Sequence, residues 1–524
     1  MANAWSQLPS LVLDPRHSPS TLLLLDLANS VLAIGTSVLG LPMRLLHSFD
    51  FWTSTQFWVW VFLVVSIHRY LRLIVHCFSH WLYKSTPLPD NPVHKCEDAT
   101  VVIPTIHDNP EELKPSLESI LACNPACLIL VTPYNKVKAL QKVADGLSSP
   151  NVKVLQTSIA NKRLQICEAI PLARTKITIL TDDDVTWPST MLPHLLAPFD
   201  KDAQIGGVGT CQRVKRVRDG SFMTRIWNWL GAAYIERRNF EISATHNIDG
   251  GTSCMSGRTA AYRTEVLNDP FFMEGFKTEK WGDKILNTDD DNFVTRWLVG
   301  HRWKTTVQYR PECELETTLE NDHKFLYQCT RWARSNWRSN YTSLFRERYV
   351  WKRQPWCTYA LHIATFTSLA IVFDPLILVS CWWATADWDT PHRRFAFWAL
   401  FTFMFGFTKT VKLLGLFRRN PGDIVFWPVS VFFGYVHSLI KLYALFTLSA
   451  TTWGSRSDGD ANNESRLQEK PRPSEYLQTP VEPVYLGSSE CRRKGQRPQN
   501  GNRDNRSSET HGRALCNAKT SHVV

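Results

Sequence analysis

The chain has 524 residues, 44% of them apolar and 12% aromatic, with a formal net charge of +11 and a mildly negative mean hydropathy. At about 150 residues per unit the length allows three or four units, yet the apolar residues crowd into 21–83 and 356–450 while residues 455–524 are polar. That segregation excludes a simple soluble enzyme, a fibrous chain and a wholly disordered one.

In chain order, residues 1–20 form an N-terminal segment. They lack the basic start, apolar core and small-residue cleavage site of a secretory signal. Residues 21–83 read as two transmembrane helices, one from Thr21 to Leu46 and one from about Phe51 to Ile67, with Trp52, Trp58 and Trp60 at the interface. His68, Arg69 and Arg72 follow and mark a cytoplasmic side, which puts the N-terminus in the cytosol too; Arg44 is mild contrary evidence. The 13 cysteines are scattered, with Cys123 and Cys127 as the close pair, so they read as reduced thiols of a cytosolic domain.

Residues 85–350 read as that domain. Short apolar runs at Ala99–Pro104, Cys127–Thr132, Asn151–Leu155 and Lys176–Thr181 predict strands, and Glu111–Ala122 and Arg163–Ala173 predict helices. The alternation predicts an α/β fold with a mostly parallel sheet, whose ligands bind beyond the carboxyl ends of the strands. Residues 356–450 are expected to hold transmembrane and interfacial helices, in the stretches Trp356–Ala386, Phe395–Phe417 and Ile424–Ala450. The last contains Pro428, Gly434, His437 and Lys441, an unfavourable content for a clean span, and is the candidate for an interfacial or re-entrant segment. Residues 455–524 cannot bury enough apolar surface to fold alone and are expected to be a disordered cytosolic tail.

Three clusters in the middle domain carry chemistry. Asp182-Asp183-Asp184 directly follows the fourth predicted strand; an acidic triplet is ordinarily a solvated loop, but at a strand's ligand end the i and i+2 carboxylates can hold a divalent cation with a diphosphate. Asp289-Asp290-Asp291 opens a predicted helix, where acids cap well or where one can serve as a general base towards a sugar hydroxyl. Gln328-Cys329-Thr330-Arg331-Trp332, with Arg334, Trp337 and Arg338 behind, is either an interfacial basic helix or an indole that stacks on sugar beside an Arg that neutralises diphosphate.

In this order, flanked by apolar segments, the clusters resemble the DxD, (E/D)D and QxxRW motifs of membrane-bound family 2 glycosyltransferases, over roughly residues 95–456. The likeness is strongest to hyaluronan synthases and fungal capsule-type polysaccharide synthases. The resemblance implies a GT-A-like domain inserted between transmembrane helices. It implies Asp182 and Asp184 as ligands of Mn²⁺ or Mg²⁺, with Asp184 the better candidate for direct contact. Asp291 is then the catalytic base, with Asp290 beside it and Thr295 at the matching distance. Lys162, Arg163, Asp182, Asp183, Gln328 and Arg331 would bind the donor. Trp332 with Cys254, Ser256, Gly257 and Arg258 would meet the acceptor, and Trp453-Gly454 resembles a cytosolic gating loop. The second strand ends Val131-Thr132-Pro133-Tyr134 without the acid that binds uracil in many members. Either Thr132 and Tyr134 serve the base, or it is gripped from the Thr105–Asp108 side.

The function expected from this resemblance is a processive, inverting transfer of sugars from a nucleotide-sugar donor, UDP-linked by expectation, into a β-linked cell-surface or cell-wall polysaccharide exported through the plasma membrane. Single transfer to a lipid such as ceramide is the alternative among enzymes, and an inactive scaffold or transporter the alternative outside them. Expected partners are the donor, the growing polymer, membrane lipids and a second copy in a homodimer. Nucleic acid is not among them, because the tail's charges alternate in sign and an anionic membrane surface accounts for the basic residues near the spans.

Overall fold

In the computed structural model, residues 54–451 are described apart from 148 and 159. The expected helix Thr21–Leu46, the residues 455–524 and the pair Trp453-Gly454 lie outside the described residues.

The middle domain is built on one nine-stranded sheet. Strands β1 (Ala99–Pro104), β2 (Cys127–Pro133), β3 (Val152–Thr157) and β4 (Ile177–Thr181) fall on the four predicted runs. They continue with β5 (Val185–Thr186), β6 (Ile205–Val214), β7 (Thr259–Arg263), a small hairpin β8 (Lys280–Trp281) and β9 (Lys284–Ile285), then β10 (Lys304–Gln308) and β11 (Glu314–Thr317). The order is β3-β2-β1-β4-β7-β6-β11-β5, with β10 also on β6. Strands β1 to β4 pair in parallel, as do β6 with β10 and β11; β7 runs antiparallel to both neighbours. The expected mostly parallel α/β sheet is therefore present, and β7 is the exception that matters for the site.

The apolar runs are continuous because both faces are covered. Val101, Ile103, Leu128 and Ile179 face one core with Leu117, Leu140 and Leu195, whereas Val102, Ile129, Val131 and Leu180 face another with Ile166, Phe272 and Leu298. After the helix α1 (Thr55–Leu82), the covering helices include α2 (Lys114–Leu121), α3 (Val137–Asp145), α4 (Lys162–Ala169) and α5 (Met191–Lys201).

Helix α6 (Phe222–Asp249) has clear ends: the Ser221 side chain accepts from the Thr224 N–H, and Gly250 closes the helix at φ +70°, a left-handed cap that glycine adopts without strain. Its middle mixes Arg, Glu and apolar residues because it meets two surroundings. One part lies against β6, through the Asn239 side chain that donates to the Gln212 carbonyl; another joins the apolar helices, with Trp229, Leu230 and Ala233 clustered with Leu413, Leu416 and Phe433. After α7 (Pro270–Thr278) come α8 (Asp290–Gly300) and α9 (Lys324–Tyr341).

Among the described residues, three helices are long and apolar enough to cross a membrane: Thr55–Leu82, Thr390–Arg419 and Pro421–Phe446. The first extends fifteen residues past the expected end at Ile67, carrying His68, Arg69 and Arg72 inside the helix. The pair Pro355–Thr367 and Ala370–Ala384 is bent by 85°. This corrects the expectation that Ile424–Ala450 is the irregular segment. Pro428 lies in the first turn of Pro421–Phe446's long α-helical part, where its missing N–H is harmless, and the break falls instead at Ser368-Leu369.

Buried ions join these helices. Asp374, 1% exposed, takes Arg69 at 2.9 Å and Lys409 at 3.0 Å and accepts from the Tyr435 hydroxyl. Glu241 on α6 meets Arg72 at 2.9 Å, His76 and Lys412. Removing Asp374 would strand two cations in an apolar bundle, at a cost of about 3–5 kcal/mol. Asp374→Ala is therefore expected to lower the thermal transition and yield of the purified protein sharply, read by fluorescence-detected size exclusion after heating.

Candidate active site

Backbone pairing assembles the site. Antiparallel β4 and β7 set Thr181 opposite Thr259, so the end of β4 meets the start of β7. The Asp182 N–H donates to the Arg258 carbonyl at 3.1 Å and the Thr181 hydroxyl donates to the same oxygen at 2.6 Å. The acidic triplet and Ser256-Gly257-Arg258, far apart in sequence, thus share one edge. Helix α8 begins beneath them, where the Gly257 N–H donates to Asp291 at 3.2 Å. A cavity of about 600 Å³ opens at this edge, lined by both acidic triplets and by Gln328, Arg331 and Trp332 of α9.

Lys162 joins the two triplets. Its Nζ lies 2.8 Å from Asp182 and 2.8 Å from Asp290. Both carboxylates hold the ammonium protonated, raising its pKa against the opposing effect of burial. A Cβ at Gly257 would stand 3.1 Å from this Nζ, so a residue without a side chain lets the bridge sit against the loop. Asp183 is buried and accepts from the Thr105 hydroxyl at 2.6 Å.

Asp290 and Asp291 separate in proton affinity. Burial pushes Asp291 above the usual carboxylate range, and the charge of Asp290 pushes it further. Burial acts on Asp290 in the same sense, but Lys162 overcomes it and holds Asp290 below the usual range. Helix-start N–H groups therefore do not dominate at Asp291, although it accepts from Asn292 at 2.9 Å. An ionised carboxylate with raised affinity is what a general base needs. Asp289 does not cap α8 with its side chain; it sits at φ +66°, a strained conformation for a residue with a Cβ, and takes both arms of Arg338 at 2.7 and 3.0 Å.

Around Trp332 of α9, the Arg258 guanidinium lies 5.4 Å from the ring, and Tyr234 of α6 packs on that ring at 5.0 Å. Cys254 is buried, its thiol pushed well up by desolvation and by Asp291, and its carbonyl accepts from Arg238 at 3.0 Å. Ser256 is buried and accepts from the Arg258 N–H. Burial and the neighbouring Arg258 lower the pKa of Arg331.

The expected set is brought together with two exceptions. Arg163 does not line the cavity: its guanidinium, 1% exposed, turns into the core, donates to the carbonyls of Thr288 and Phe276, and pairs with Glu279 at 2.7 Å. As the second residue of α4 it points away from Lys162 and supports the second acidic motif from behind. The gating pair Trp453-Gly454 lies outside the described residues. Of the two sides open for the nucleotide base, Thr105, Ile106 and His107 line the cavity, whereas Thr132 and Tyr134 do not. Tyr234 and Arg238 also line it and were missed, because the mixed composition of α6 offers no single apolar face to read as a helix.

Among the described residues no group of three or more His, Cys, Asp or Glu side chains is placed to hold a metal ion. The oxygen donors of Asp182 and Asp184 fit a hard cation that takes one or two carboxylates and completes its shell with substrate phosphates and water.

Residues 97–335 match the model of a glycosyltransferase-like family 2 domain. A type 2 glycosyltransferase of Gibberella zeae is 66% identical over 469 residues, covering 89% of each chain. The chain belongs to the family 2 glycosyltransferases. It is also similar to a hyaluronan synthase of Streptococcus pyogenes, 22% identical over 78% of this chain and 93% of the relative. Among solved structures it is similar to the mannosyltransferase PcManGT from Pyrobaculum calidifontis in complex with GDP-Man and Mn²⁺, with a TM-score of 0.49, 14% identity, and coverage of 76% of this chain and 99% of that one.

The glycosyltransferase should show a pH dependence that exposes the acidic pair. If Asp291 must be ionised, activity falls as pH drops through its raised pKa. Asp290 is already ionised in that range, so Asp290→Asn removes a like charge and lowers the pKa of Asp291. The acid limb of the kcat/KM profile should move to lower pH in this variant, against whatever loss of rate accompanies it.

Proposed function

We propose that this glycosyltransferase is a processive, inverting polysaccharide synthase of the membrane, taking a nucleotide-sugar donor, UDP-linked by preference, and releasing a β-linked polymer across the bilayer. The observation that carries the reading is the placement of α9. Its Gln328, Arg331 and Trp332 line the cavity, while Trp337, further along, donates to the Lys441 carbonyl of Pro421–Phe446, a helix of membrane-crossing length. The acceptor end of the site thus adjoins helices suited to carry a product outward. The bent pair, read as a re-entrant segment, leaves Thr390–Arg419 and Pro421–Phe446 as spans and returns the tail to the cytosol.

In this mechanism Thr105, Ile106 and His107 receive the nucleotide and Lys162 and Arg331 face the diphosphate. Asp182 and Asp184 would hold Mn²⁺ or Mg²⁺, which supplies Lewis-acid stabilisation of charge on the departing diphosphate. Trp332, braced by Tyr234 and Arg258, stacks on the terminal acceptor sugar. Asp291 takes the proton of the acceptor hydroxyl as that oxygen attacks the anomeric carbon and the diphosphate leaves from the opposite side. The activated donor already carries its leaving group, so no enzyme nucleophile is required.

Asp291→Asn keeps the side chain's size and cannot take the proton. It should bind donor with near-normal affinity and turn over at a rate lower by about a hundredfold or more. Asp184→Asn should instead lose metal-dependent donor binding, measured by calorimetry with and without Mn²⁺. The polymerising reading is tested with purified protein, a panel of UDP-sugars and GDP-mannose, and mass analysis of the product. A ladder of lengthening chains supports it; a single sugar on lipid overturns it in favour of lipid glycosylation.

A further inference from the structure

Arg338 lies two residues beyond Asn336, where the part of α9 that lines the cavity ends, and 2% of its surface is exposed. Its guanidinium reaches in two directions. One side holds the Asp289 carboxylate at 2.7 and 3.0 Å and the Thr288 hydroxyl at 3.3 Å. The other donates to the carbonyls of Leu448 and Ala450 at 3.1 and 3.2 Å. The same stretch is held by Arg334, which donates to the Thr447 hydroxyl at 3.0 Å, and by Lys284 of the small hairpin, which donates to the Ser449 carbonyl at 3.3 Å.

Asp289 immediately precedes α8, which opens with Asp290 and Asp291. Its positive φ is a conformation that Asp adopts more readily than most residues with a Cβ but still at some cost, so an outside hold stabilises the turn there. Arg338 supplies that hold with a bidentate pair, the geometry for which an arginine fork is suited and a lysine is not. A second tie runs in parallel: the Asn292 amide donates to Ser335 of α9 at 2.8 Å.

We infer that Arg338 is a positioning residue that couples two parts of the enzyme: it fixes the turn at Asp289, and through it the carboxylate of Asp291, to the chain at residues 448–450. Base geometry and the seating of that segment are set together. The inference rests on the reading of Asp291 as the base.

The test uses the full-length protein in detergent and compares wild type with Arg338→Lys, Arg338→Gln and the double variant Asp289→Asn/Arg338→Gln. The double variant leaves no lone buried charge, so it remains informative if Arg338→Gln alone fails to fold. Steady-state kinetics use the member of a UDP- and GDP-hexose panel that is turned over fastest. Hydrogen exchange is followed in peptides that cover 289–295 and 447–451. The expected result is a kcat at least tenfold lower in the double variant with donor KM within threefold, faster exchange in both peptides together, and partial recovery of kcat in Arg338→Lys. A kcat within twofold of wild type, a KM that rises in step with the lost rate, or faster exchange in only one peptide overturns the coupling. If Asp291→Asn proves active, the base reading fails by itself, and the exchange of the two peptides still decides whether they are linked.

Discussion

Six carboxylates, Asp182 to Asp184 and Asp289 to Asp291, line a single cavity, and the structure around it is organised by the need to offset their repulsion. Lys162 bridges one member of each triplet, Thr105 donates to Asp183, and Arg338 takes Asp289. Asp291 has no cation in contact among the described residues; burial and Asp290 beside it raise its proton affinity, while Lys162 lowers that of Asp290. The site thus distinguishes two adjacent, chemically identical side chains through their surroundings.

Helix α9 gives the domain its second organising element. One stretch faces the cavity, another grips the start of α8, and a third meets Pro421–Phe446. A charge-rich helix with three arginines cannot be buried unless each has a task. Arg331 lines the cavity, Arg334 holds Thr447, and Arg338 is saturated by a carboxylate and two carbonyls.

The helices around Asp374 and Glu241 show the same logic in apolar surroundings. Each acid there is shared by two or more cations from different helices. Buried pairs of this kind add little net stability over well-packed apolar residues, but a helix displaced along its axis would break them. They therefore fix the relative register of Thr55–Leu82, α6, Ala370–Ala384 and Thr390–Arg419.

The sequence by itself determined the four leading strands, since runs such as Ala99–Pro104 are apolar on both faces only when a sheet is covered twice. It also determined the positions of the two acidic triplets and of Gln328, Arg331 and Trp332, because their order and spacing carry the resemblance to the DxD, (E/D)D and QxxRW motifs. Only the tertiary structure decided the rest. It turned Arg163 into the core while its neighbour Lys162 became the bridge, a choice set by which face of α4 meets Glu279. It revealed α6, whose two environments erased its periodicity, and moved the broken helix to Ser368-Leu369, where no local residue signal distinguishes a bend from a continuous run. It raised the proton affinity of Asp291 above that of Asp290, which local sequence cannot do, because the difference comes from a lysine 128 residues away in the chain. Local sequence sets which side chains are available and which backbone they favour; long-range pairing sets which charges share one low-dielectric space, and that second choice makes the chemistry.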